Sequence, residues 1–139
     1  MTFERDPAHW LFRFSPQEWV RAGLGDIKRA EEAYRAKNGR AGLAGARRGA
    51  GMALNGVLIC EPDELWGRSY VDHLQGLART TAAPEAVRYA ARLLLDTPLP
   101  GGAIVSLRTA SSEERLLEAA RDVAAHAWVV VGRHIKEAP

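Results

Sequence analysis

Apolar residues return along most of this chain at steps of three and four, the period of a helix with one buried face. Ser15-Pro16-Gln17-Glu18 supplies a capping serine, a proline for the first turn and a glutamate three positions after the cap, so a helix is predicted to start there. Its stripe is Trp19, Gly23, Ile27, Ala30 and Tyr34, with Arg21, Lys28, Arg29, Glu32 and Arg35 on the other face, and Asn38-Gly39 reads as its stop. A second helix is predicted over 41–59 on Leu43, Ala46, Ala50, Ala53, Leu54, Val57 and Leu58. Its many glycines weaken it as an isolated helix but let another backbone come close. After Glu61-Pro62-Asp63, the residues Trp66, Tyr70, Leu74 and Leu77 predict a short third helix with His73 beside the stripe. Pro84 leads a fourth, carried by Val87, Ala90, Ala91, Leu94 and Leu95. The run 103–107 has strand character but no partner strand, and reads as extended connection. Ser111 or Ser112 with Glu113 and Glu114 opens a last helix that reaches about His134, its acids first and its bases last, as the helix dipole favours.

These elements imply an all-α protein, an antiparallel bundle of four to five helices joined by short connections. The 139 residues are expected to form one domain, 1–139, with 1–14 as an N-terminal extension and 96–111 as a long loop. With 47% hydrophobic and 26% charged residues, the chain can bury a core and is not compositionally disordered. A net charge of +2 gives nucleic acid only weak support. The single cysteine, Cys60, excludes an intramolecular disulfide and fits a reducing cytoplasm. Charges at Glu4, Arg5 and Asp6 stand where a secretory hydrophobic stretch would lie, and no apolar run approaches the ~20 residues that span a bilayer, so a cytoplasmic protein without membrane contact is expected.

The stretch Arg121-Asp-Val-Ala-Ala-His-Ala-Trp-Val-Val-Val131 carries the most chemistry. Val123, Ala124, Ala127 and Val131 are assigned to the core, while Ala125, Val129 and Val130 point elsewhere and require a second packing surface. A homodimer through the last helix supplies one, and a central position among the other helices supplies the alternative.

Arg121, followed by Asp122 and then His126, resembles the R-x4-6-H motif that HEPN domains carry on the final helix of a small bundle. The alanine-rich run from Ala46 to Leu58 is similar to that family's second helix, and Tyr70-Val-Asp-His-Leu74 resembles its short third helix. The resemblance covers roughly 16–134. It implies a dimeric, metal-independent endoribonuclease, a hydrolase of a toxin–antitoxin or other defence system, with RNA as substrate, a nucleotidyltransferase as a partner and no cofactor. Arg121 and His126 would be its catalytic pair, with Asp122, Trp128 and His73 in support. Where toxin members carry a tyrosine two residues after the histidine, this chain has Trp128, so no hydroxyl is offered for modification there.

The chemistry suits the residue types. Cleavage by a 2′-OH needs a group to take its proton, which a histidine with an ordinary pKa near 6.5 can do, and a cation to steady the scissile phosphate, which an arginine fork can do. Five residues turn a helix by about 140°, so Arg121 and His126 meet one phosphate only if the arginine reaches round or a second protomer supplies its partner. Arg121 paired with Glu118 or with an acidic residue on another helix, and His126 hydrogen-bonded inside a helix interface, form the structural alternative. Arg68 to His73 repeats the same spacing and is read as coincidence, with His73 as a packing histidine. Arg47 and Arg48, with Arg40 before them, form a modest basic edge for RNA phosphates or a solvated face. No two histidines have the spacing of a helical metal site. The competing function is a non-catalytic helical module that binds a partner protein or nucleic acid.

Overall fold

The computed structural model describes residues 10–98 and 110–135, and they contain helices and no strand. Among the described residues there are five α-helices: α1 (Pro16–Arg35), α2 (Gly39–Cys60), α3 (Tyr70–Arg79), α4 (Glu85–Asp96) and α5 (Ala110–His134). Single 3-10 turns at Trp10–Arg13 and Glu64–Trp66 precede α1 and α3. The run 103–107 lies outside the described residues.

Of the N-terminal segment, residues 10–13 pack on the helices. Leu11 is 2% exposed, and its carbonyl accepts from the Trp19 indole at 2.7 Å. At the start of α1, Ser15 Oγ accepts from Glu18 N at 3.1 Å while Glu18 Oε1 accepts from Ser15 N at 2.8 Å, the reciprocal cap expected from the sequence. The end of α1 differs from expectation. Lys37 takes the left-handed backbone, φ 63°, and the amides of Lys37 and Asn38 donate back to Tyr34 and Ala33. Asn38 instead opens α2, its side chain accepting from Ala41 N at 3.1 Å.

Gly42, Gly45, Gly49 and Gly56 of α2 face α1, while Gly51 packs against Tyr70 of α3. A methyl on Gly49 would lie 2.6 Å from the Gly23 carbonyl oxygen, and one on Gly56 would lie 2.6 Å from that of Pro16. Gly42 lies under the Tyr34 ring, so contacts along α1 and α2 run in opposite order. Asp26, 4% exposed, braces the same pair, holding Arg29 of α1 and, at 2.8 Å, Arg48 of α2. Burial pushes its carboxyl pKa up, but the two guanidinium groups outweigh burial and hold it below the ordinary value. α2 touches all four other helices and carries most of the core contacts.

Trp66 does not belong to α3. Gly67, φ 71°, breaks the chain after it, and Ser69 opens α3 with a second reciprocal cap through Asp72. The indole folds back against Gly76, where any side chain would collide with it.

Candidate functional site

α5 lies against α1, α2 and α4. Its N-terminal half meets the end of α1, where Arg121 reaches Glu31 at 3.6 Å; its C-terminal half meets the start of α1, where the Arg21 guanidinium sits 5.8 Å over the Trp128 ring. Against α2 the order is the same along both helices, Val131 beside Gly56 and His134 Nε2 2.7 Å from Glu61.

Arg121 is engaged within the chain. Besides Glu31 it meets Glu114, two turns earlier on α5, at 3.1 Å, and Glu31 also holds Arg35 at 3.1 Å. The acid expected on another helix is Glu31 of α1, and on α5 itself the partner is Glu114 in place of Glu118. The Arg121 side chain stays 39% exposed, where such pairs are weak and exchangeable. Asp122 is exposed and lines an open cleft of about 460 Å³ between α4 and α5 with Tyr89, Arg115 and Glu118.

His126 is half-buried and makes no hydrogen bond among the described residues. Burial lowers its pKa, the nearby Arg133 cation lowers it further, and Glu61 partly opposes them. Its imidazole is thus neutral at neutral pH, the form that accepts a proton. Arg121 reaches to Glu31 on α1, whereas the charges that act on His126 are Arg133 on α5 and Glu61 at the end of α2. Among the described residues, no hydrogen bond, ion pair or ring contact joins any two of Arg121, Asp122, His126, Trp128 and His73.

The outward face of the helix is apolar, as expected, but its membership changes. Val130 is 3% exposed and faces the core, correcting its assignment to the outer surface. The outer stripe is Ala125, Trp128, Val129 and Gly132, at steps of three and four, with Leu24 of α1 also exposed nearby in sequence to Arg21. Trp128 is 46% exposed and Val129 53%.

The remaining candidates have internal duties. His73 is fully buried on α3, its ring nitrogens 3.4 Å from the Gly51 carbonyl and 3.3 Å from that of Gly67, and burial lowers its pKa against the pull of those carbonyls. Arg47 donates to the carbonyls of Leu94, Leu95 and Thr97, closing the C-terminus of α4. Arg48 is held by Asp26. The expected basic edge is thus largely committed to helix packing. Glu31, Glu61 and Arg133, which set the surroundings of the motif pair, went unrecognised in the sequence because tertiary packing alone brings Glu31 and Glu61 to α5. Among the described residues, no three His, Cys, Asp or Glu side chains are grouped to hold a metal, and no helix is long and apolar enough to cross a membrane.

No family model, curated protein sequence or solved structure matches this chain.

Proposed function

We propose that the chain is a HEPN-like helical bundle that dimerises through α5 and cleaves RNA without a metal, His126 handling the 2′-OH proton and Arg121 steadying the phosphate. The observation that carries this reading is His126, a solvent-reachable imidazole with no partner among the described residues, kept neutral by burial and by Arg133. The apolar stripe of Trp128 and Val129 supports a two-fold contact along the same helix. Such a contact answers the separation of the pair, because a second protomer can bring its Arg121 toward His126. Glu31 and Glu114 then hold Arg121 extended until a phosphate replaces them.

Purified protein should cut single-stranded RNA in EDTA and leave a 2′,3′-cyclic phosphate. His126→Ala should lower the rate by about 10² to 10⁴, the usual contribution of general acid–base catalysis, without loss of helical signal. Cleavage unaffected by both His126→Ala and Arg121→Ala would remove the assignment.

A second reading, a non-catalytic module that docks a partner on α5, is favoured by the two carboxylates already on Arg121 and by the internal roles of Arg47 and Arg48. It predicts no cleavage of RNA by the wild-type protein.

A further inference from the structure

Away from α5, a cleft of about 310 Å³ opens between the Trp10–Arg13 turn, the end of α2 and the Glu64–Trp66 turn, a size that suits a small ligand. Trp10, Leu11 and Leu58 form its apolar wall, and Asp63, Glu64, Gly67 and Arg68 its polar rim. Three planar groups are layered at this place. The Arg68 guanidinium sits 5.7 Å over the Trp10 ring, and that ring lies nearly parallel to the His73 imidazole, centroids 6.5 Å apart and planes 11° from parallel. His73 lies in turn between the carbonyls of Gly51 and Gly67, and the single N–H of its neutral ring donates to one of them. The ring contact leaves the donors of the guanidinium uncommitted, since the Arg68 side chain makes no ion pair or hydrogen bond among the described residues. Glu64 shares the rim and likewise has no cationic partner there, and Asp63 spends one oxygen on the Leu65 amide at 2.9 Å.

Opposite charges that share one rim without neutralising each other suit a ligand that carries both signs. Two carboxylates against one guanidinium exclude a polyanion such as a nucleic-acid backbone, and the apolar wall asks for a hydrocarbon group. We propose that this cleft binds a free amino acid with an apolar side chain, its carboxylate on Arg68, its ammonium on Glu64 and Asp63, and its side chain against Trp10, Leu11 and Leu58. Asn55, a turn before Leu58 on the same face of α2, is fully buried with neither amide atom hydrogen-bonded among the described residues.

The test is calorimetric titration of the full chain with L-leucine, leucinamide and N-acetyl-leucine. L-leucine should bind saturably at one site, and leucinamide and N-acetyl-leucine should each bind about tenfold or more weakly, because each lacks one charge. Arg68→Gln and Glu64→Gln, both at exposed positions that leave the core intact, should each cause a similar loss. Absence of leucine binding at about 10 mM, leucinamide binding as well as leucine, or competition by inorganic phosphate would each overturn the proposal. Leucine binding unchanged by Arg68→Gln would overturn it as well.

Discussion

Arg47 shows how one side chain can be read correctly as a cation and wrongly as a surface. Its position on α2 reveals a charge, but the carbonyls it serves belong to the last turn of α4, nearly fifty residues away. Removing the guanidinium should therefore cost stability before it costs RNA affinity. Arg47→Met is expected to lower unfolding free energy by about 1–3 kcal/mol in urea denaturation, the usual range for buried bonds from a charged donor, and an unchanged midpoint would refute the capping role. His73 was legible as a packing residue from its place beside the α3 stripe, whereas its carbonyl partners were not. Both His73 and His126 have pKa values lowered in the fold, so the unfolded chain binds more protons once pH falls below the ordinary histidine value of about 6.5. Stability should be greatest above that value and decline on acidification through it, with a further loss below about 3.9 as Asp26 gives up its own depressed pKa. Urea midpoints that stay flat between about pH 7.5 and 5 would contradict this.

At the scale of elements, the helices announced themselves through period and caps, and their junctions did not. The stripe from Trp19 to Tyr34 is buried and Ser15 caps it as read, because both signals are local. Trp66 was drawn into α3 because it fits the stripe, yet Gly67 turns the chain between them. At the end of α1, Asn38-Gly39 looked like the terminator, but Asn38 caps the next helix and Lys37 adopts the left-handed backbone at a cost of about 1 kcal/mol. Lys37→Gly should therefore stabilise the protein by about 0.5–1 kcal/mol in denaturant titration. Close approach of α1 and α2 makes the opposite forecast for Gly49, whose added methyl would meet backbone and force the helices apart. Gly49→Ala should cost about 1–3 kcal/mol, while Gly25→Ala, whose methyl meets only the distant end of Arg29, should gain about 0.5–1 kcal/mol by helix propensity. Equal effects at the two sites would refute the close contact.

For the molecule as a whole, the helical character of the described residues was legible because every long apolar pattern among them had the helical period. The two-sided character of α5 was legible too, although Val130 was placed on the wrong side, since a run of adjacent valines does not reveal which one faces inward. What no sequence pattern could give is the surroundings of the motif: Glu31 from α1, and Glu61 from the end of α2, arrive only when those helices pack on α5. Within one chain Arg121 and His126 stay apart, so the proposed activity depends on a second copy. The most direct test mixes two inactive proteins, Arg121→Ala and His126→Ala, after a denaturation and refolding step that exchanges protomers. In a two-fold dimer whose sites each take Arg121 from one protomer and His126 from the other, half of the dimers are mixed and each has one intact site, so RNA cleavage should return to about a quarter of the wild-type rate. A mixture as inactive as either variant alone would contradict the shared site.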